Sequence, residues 1–302
     1  MHEGQVTQGP AGGKHDPGCA HAEGDPHRQQ DELEVRMLLI RHKFLVLSGK
    51  GGVGKSTVAV NLATALAAAG RRVGLLDVDL HGPSVPGLLG LEYTPRPGRA
   101  GGIAPAPVSD NLWAMSIQFF LPEDDDAIIW RGPRKYSAIR EMLAGVDWGH
   151  LDCLVVDAPP GTGDEPLALV ELLGQGAGAV IVSTPQRVAV NDVRKALGFC
   201  KALDLPVVGL IENMSGFVCP HCGETTDIFL SGGAEIMAAE AGVPFLGRIP
   251  MDPAVVLAGE RGVPHVQAFA GSPTAAAFAA AIEPLLTLTE RPDHRVATTE
   301  GS

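Results

Sequence analysis

Nine consecutive residues and one spaced pair of cysteines carry most of the chemistry this chain can do. The nine are Gly49, Lys50, Gly51, Gly52, Val53, Gly54, Lys55, Ser56 and Thr57. They fit G-x-x-x-x-G-K-[ST], the spacing of a phosphate-binding loop between a strand and a helix. Glycines let backbone N–H groups turn inward around phosphate oxygens, and the helix N-terminus adds a favourable dipole. Lys55 would neutralise the β- and γ-phosphates, and the Ser56 hydroxyl would ligate Mg²⁺, a hard ion that prefers oxygen. Two acidic strand ends suit the same site. Asp157 ends an apolar run before Pro159 and Pro160. A carboxylate there would hold Mg²⁺ through water. Asp77 and Asp79 end another run before His81. One of them could orient an attacking water; a turn or helix-cap role is the plainer alternative.

The pair is Cys219 and Cys222, spaced as Cys-Pro-His-Cys. A lone CxxC suits a redox dithiol, half a zinc site or half an iron-sulfur site. The surrounding Gly-rich loop argues against the redox dithiol, which opens a helix after a strand. Zinc and iron-sulfur clusters both want about four thiolates. Cys153 lies in a strand and Cys200 on an apolar helix face, so both are expected to be small core residues. Cys19 stands alone in a His-rich N-terminal segment. Two chains related by a two-fold axis would supply the missing pair. His221, between the cysteines, is expected to face solvent.

These groups need a scaffold that gathers strand ends. Apolar runs at 44–48, 73–77, 152–157, 179–184 and 206–212 read as strands buried on both faces. Helical stretches at 55–69, 133–145, 164–173 and 188–203 lie between them. The alternation implies an α/β fold with a mostly parallel sheet flanked by helices. Such sheets bind ligands at the carboxyl ends of their strands, where all three acids fall. Residues 94–111 read as a Pro/Gly-rich connection. Residues 1–37, which hold His2, His15, His21 and His27, read as a disordered tail. Residues 38–290 form the nucleotide-binding domain with its cysteine loop, and 291–302 a frayed C-terminus.

The 302 residues carry a net charge of −12 and are 45% apolar. Such a balance suits a globular domain and disfavours nucleic acid and anionic lipid as partners. Five cysteines in a chain of this size are not a secreted disulfide framework. With no apolar signal core near the start and no membrane-length apolar run, the cytoplasm is the expected compartment.

The extra lysine of KGGVGKST, Lys50, resembles the deviant Walker A group that includes MinD, ParA, the nitrogenase iron protein and the arsenite ATPase. The runs DVDLHGPS (77–84), DAPPGTGDEP (157–166), STPQ (183–186), IENMSGFVCPHCG (211–223) and GRIPMDP (247–253) together resemble the Mrp/ApbC-type iron-sulfur carriers. The resemblance spans about residues 40–290. It implies a slow ATPase that hydrolyses ATP to ADP and phosphate as a homodimer, with Mg²⁺. Lys50 would reach phosphate across the dimer, and segments 77–84 and 157–164 would be switch regions. Asn213 would hydrogen-bond adenine near Pro250. Cys219 and Cys222 would hold a 4Fe-4S cluster shared between subunits. Partners would be a cluster-assembly scaffold and apo iron-sulfur proteins. Two readings of other classes stand beside this one: a ParA/MinD-like positioning ATPase and a zinc-bridged scaffold. Residues 273–288 carry no Lys or Arg, unlike the basic membrane helix that ends MinD-like chains.

Overall fold

In a computed structural model the chain is described over residues 26–99, 101–121, 132–219, 221–222, 224–228 and 231–290. The strands are β1 (Ile40–Leu47), β2 (Val73–Asp77), β3 (Ala106–Ser109), β4 (Leu112–Ser116), β5 (Leu151–Asp157), β6 (Ala177–Ser183), β7 (Val207–Glu212), β8 (Phe217–Val218), β9 (Thr225–Thr226) and β10 (Phe245–Arg248). The helices are α1 (Pro26–Leu38), α2 (Lys55–Ala68), α3 (Val85–Leu89), α4 (Gly132–Ala144), α5 (Asp164–Leu173), α6 (Arg187–Ala202), α7 (Gly233–Ala241), α8 (Pro253–Glu260), α9 (His265–Ala268) and α10 (Pro273–Leu288).

Eight strands form one sheet in the order β10-β7-β6-β1-β5-β2-β4-β3. Every pairing is parallel except that of β3 with β4. The expected mostly parallel sheet flanked by helices is therefore present. Strands β2 and β5 are buried at every residue, as strands covered on both faces should be. Successive residues of β1 feed two separate cores. Leu45 and Leu47 pack with α1, α4, α5, α6 and α7, whereas Phe44 and Val46 pack with α2, α3 and α10. Helix α2 is apolar nearly all round because the sheet, α3, α9 and α10 enclose it.

Register decides what the sheet presents at its carboxyl edge. Asp157 lies opposite Val46 on one side and Asp77 on the other. The acids that end β2 and β5 are thus brought level with the end of β1, from which the phosphate loop departs.

Three sequence expectations need correction. The connection at 94–111 contains β3, an antiparallel edge strand with Pro107, a residue tolerated where no neighbour needs its N–H. Strands β4 and β10 lie outside the predicted set; β10 is only four residues long. The tail assigned to 1–37 ends in helix α1. Leu33 and Met37, four residues apart on one helical face, are buried against the core. Arg36 Nη1 donates to the Val146 carbonyl at 3.0 Å and stands 3.7 Å from Asp147. The polar run around these two apolar residues hid the helix. Residues 1–25, with His2, His15, His21 and Cys19, and residues 291–302 lie outside the described residues.

Leu33→Ala should therefore destabilise the protein by about 2–4 kcal/mol. Val35→Ala, at a position 60% exposed, should change stability by less than about 0.5 kcal/mol. Urea denaturation of the two variants measures the difference, and equal effects would mean that α1 is not part of the core.

Candidate nucleotide site and cysteine loop

The phosphate loop leaves β1 and turns into α2 through glycines in backbone shapes that other residues avoid. Gly52 and Gly54 both have φ of 78°, the left-handed region in which a Cβ is penalised. Gly54 is the N-cap of α2, and no side chain caps that end. The first-turn N–H groups of α2 are thus left to an anion.

Lys55, the first residue of α2, is buried, and its ammonium is bonded to Asp157 Oδ1. Asp79 Oδ2 lies 4.0 Å from the same nitrogen. Asp157 is fully buried, and its Oδ2 has no hydrogen-bond partner among the described residues. Burial pushes its carboxyl above the usual range, against the pull of Lys55 and a hydrogen bond from Ser56. A buried carboxylate oxygen with an unused lone pair beside a serine hydroxyl fits a hydrated Mg²⁺, which keeps several waters and takes few protein ligands. The structure thus brings Ser56 and Asp157, the two residues read from sequence as magnesium ligands, to the same place.

The structure separates the other two acids. Asp77 spends its carboxylate on its own loop. Oδ1 accepts from Asp79 N at 3.1 Å. Oδ2 accepts from Ser84 N and Val85 N, each at 3.2 Å, and from Ser116 Oγ at 3.0 Å. These bonds fix the segment after β2 and cap α3, the plainer of the two roles read from sequence. Burial and then the nearby Asp157 charge push the Asp77 carboxyl up to about 7, against those hydrogen bonds. Asp79 accepts from His81 N at 3.3 Å through Oδ1 and turns Oδ2 toward Lys55. Of the two, Asp79 is the one that faces the phosphate site.

Lys135 and Ser116 escaped the sequence reading. Lys135, on α4, donates to Glu165 Oε1 at 2.5 Å and lies 3.1 Å from His81 Nε2. It ties the segment after β2 to the start of α5. No spacing in the sequence marks a lysine on a distant helix as a partner of these segments.

A cavity of about 760 Å³ is lined by Gly54 and Thr57 of the phosphate loop together with Asn213, Met214 and Pro250. That volume lies within the range of small-molecule sites. Asn213 Nδ2 donates to the Val53 carbonyl at 2.9 Å, so Asn213 braces the loop as well as lining the cavity. Lys50 is half-buried on the loop, and its carbonyl accepts from Ser48 Oγ at 2.9 Å.

The cysteine loop leaves β7 a few residues after Asn213. Strands β8 and β9 pair antiparallel around it, and Cys219 N donates to the Glu224 carbonyl at 2.9 Å. Cys222 and His221 are exposed. The Cys219 thiol is held below its ordinary range by the backbone N–H of Cys222, then by that of His221 and by the Cys222 thiol. Such N–H groups favour the thiolate, which is the form that binds metal. Cys153 and Cys200 are fully buried, and burial pushes their thiols up to about 12 and about 11. Among the described residues, no group of three or more His, Cys, Asp or Glu side chains could hold a metal ion.

Comparison with known proteins places this arrangement. A family model described as "ParA: NUBPL iron-transfer P-loop NTPase" matches residues 39–286. An iron-sulfur cluster carrier protein of Methanocaldococcus jannaschii is 50% identical over 239 residues, 79% of this chain and 82% of that protein. The human cytosolic Fe-S cluster assembly factor NUBP2 is 49% identical over 259 residues, 83% of this chain and 94% of that protein. Among solved structures, a nucleotide-binding protein from Archaeoglobus fulgidus in complex with ADP matches with a TM-score of 0.70 and 38% identity. The match covers 78% of this chain and 92% of that one. The cell division ATPase MinD of Pyrococcus furiosus shares the fold, with a TM-score of 0.62 at 24% identity over 82% of this chain and all of that one.

The thiol environments separate the cysteines by reactivity. Brief alkylation of the metal-free protein with iodoacetamide at pH 8 should modify Cys219 first and leave Cys153 and Cys200 unmodified until the chain is denatured. Mass spectrometry of the peptides reads the order. Labelling of Cys153 as fast as Cys219 would overturn the assignment.

Proposed function

Because the chain belongs to the NUBPL iron-transfer P-loop NTPase family, we propose that it is an ATP-dependent carrier that binds a 4Fe-4S cluster between two subunits and passes it to apo-proteins. The observation that carries the proposal is the division of the thiols. One chain offers a cysteine pair in which Cys222 is exposed and Cys219 is half-buried and polarised, and its two buried cysteines lie out of reach in the sheet and α6. Two chains are needed to reach the four thiolates of a cluster.

At the nucleotide site, the N–H groups of residues 51–57 receive the phosphates. Lys55 turns from Asp157 to phosphate, and the Asp157 carboxylate would then help to hold Mg²⁺ through water. Ser56 would be the direct ligand of Mg²⁺, whose positive charge would offset that of the phosphates. Asp79 orients the attacking water, while Asp77 keeps its loop in place. Lys50 reaches the phosphates of the partner subunit. Asn213 and Pro250 face the base. The donors of the cargo are a cluster-assembly scaffold, the acceptors apo iron-sulfur proteins, and the compartment the cytosol. Among the described residues no helix is long and apolar enough to cross a membrane, and neither membrane nor nucleic acid is a partner in this reading.

Two tests follow, one for each half of the proposal. Lys55→Ala should reduce ATP hydrolysis by at least about 100-fold, because a preorganised charge at the transferred phosphate is lost. Lys50→Ala should also impair hydrolysis with Lys55 intact. Phosphate release by folded variants is the measurement, and wild-type turnover in Lys55→Ala would remove the phosphate loop from the mechanism.

The second test is anaerobic reconstitution with iron and sulfide. Iron should approach about four per dimer. Cys219→Ala or Cys222→Ala should abolish stable uptake while ATP binding persists, and Cys19→Ala should leave the cluster in place. Full iron-sulfur absorbance in the Cys219→Ala, Cys222→Ala double variant would sink the proposal. Stoichiometric zinc without cluster uptake would favour the zinc-bridged scaffold.

A further inference from the structure

Two adjacent residues at the end of β7 touch both halves of the molecule. Asn213 bonds the Val53 carbonyl of the phosphate loop, and its side chain fills the space beside Gly54 where a Cβ would stand. Glu212, its neighbour, is fully buried and faces the other way. Glu212 Oε1 accepts from Ser215 Oγ at 2.6 Å and from Gly232 N at 2.9 Å. Oε2 accepts from Ala234 N at 2.7 Å. Arg248 Nε stands 3.5 Å from Oε1 and balances its charge.

Ser215 begins the excursion that carries Cys219 and Cys222, whereas Gly232 and Ala234 begin α7 and end it. One buried carboxylate therefore clamps both ends of the cysteine loop. It is an acceptor for the otherwise uncapped start of α7. A second link runs along the backbone. Ser215 N donates to the Ile249 carbonyl at 2.9 Å, and Met251 N to the Gly216 carbonyl at 2.7 Å. The loop is thus laddered onto the Pro250 segment, which lines the nucleotide cavity. Between the two links, Met214 has φ of 55°, a left-handed conformation that a methionine rarely adopts. A strained residue joining two braced ones is a place where a small shift is not absorbed locally.

We propose that Glu212 and Asn213 form the lever that couples nucleotide occupancy to the geometry of the cysteine loop. Nucleotide entering the cavity repositions the Val53–Gly54 turn and the Pro250 segment. Asn213 transmits that movement, and Glu212 carries it to both ends of the loop. Glu212 is a positioning residue, since it touches neither cargo nor phosphate. The inference rests on the reading of the cysteine loop as the cargo site, but its test needs no cluster.

The test is amide hydrogen exchange of residues 214–219 in the full-length protein. It is run without nucleotide and with Mg²⁺ and a non-hydrolysable ATP analogue at saturation for each variant. In the wild type the analogue should change the exchange rate about fivefold or more, the lower end of ordinary coupling. Glu212→Gln removes the charge and leaves at least one N–H of the clamp without an acceptor. It should speed exchange in the free protein and abolish the nucleotide response. Asn213→Ala should weaken nucleotide binding, yet at saturation its loop should exchange as in the free protein. Should Glu212→Gln fail to fold, Asn213→Ala carries the test alone. A wild type without a nucleotide response, or variants whose response equals that of the wild type, would overturn the lever. A merely structural role for Glu212 would raise exchange in both states and leave their ratio unchanged, which also overturns it. Failure of wild-type cluster reconstitution with the exchange response intact would instead refute the cargo reading and leave the lever standing.

Discussion

A lysine ammonium is held in the interior against a carboxylate that keeps one oxygen unused, and the nucleotide site is arranged around that pair. Burying two charges together is tolerable only with close geometry and neighbours that satisfy what remains. Lys55 and Asp157 meet closely, but Asp157 Oδ2 has no hydrogen-bond partner among the described residues. Asp77 and Asp79 lie nearby, and burial first, then the neighbouring carboxylates, push both Asp157 and Asp77 toward their neutral forms. The pocket thus has more carboxylate than Lys55 can neutralise. Phosphates arriving alone would worsen that imbalance, whereas phosphates arriving with a divalent cation would correct it. The electrostatics of the site therefore suit the metal complex of a nucleotide better than the free nucleotide.

The sheet makes this arrangement possible at a distance in sequence. Lys55 and Asp157 are 102 residues apart, and only parallel register places them together. Asp77 reaches the same edge through its pairing with β5. A parallel sheet aligns its strand ends, so each loop there begins beside the next. The α2 N-terminus is left uncapped at that edge for the same reason. Satisfying it within the chain would fill the place where the anion belongs.

Much of this was legible in the sequence because local constraints wrote it there. The phosphate loop needs glycine where φ is positive, so Gly52 and Gly54 could be read directly. The continuous apolar runs of β2 and β5 follow from burial on both faces. What stayed hidden depends on partners that no spacing records. Leu33 and Met37 gain meaning only once the core they pack against exists, so the sequence of α1 reads as tail. Strand β10 is too short to show a period. Asp77 and Asp79 looked alike because they share one strand end; the three donors from residues 84, 85 and 116 tell them apart only in the fold. Glu212 was read merely as the end of a strand, since its role comes from a helix start 20 residues on.

The same contrast bears on how the cysteine loop and the phosphate loop are joined. The phosphate loop sits between a central strand and an enclosed helix. The cysteine loop is a short two-stranded hairpin with one thiol exposed and the other half-buried, and little core of its own. A weakly packed element takes its geometry from its anchors, because few buried contacts oppose a change. Here the anchors are one buried carboxylate and a backbone ladder to the segment that lines the nucleotide cavity. A small movement at those anchors would be passed on to the loop, which has little core of its own to resist it. That poverty of packing leaves the geometry around Cys219 and Cys222 to be set by those anchors, one of which is the segment that lines the nucleotide cavity.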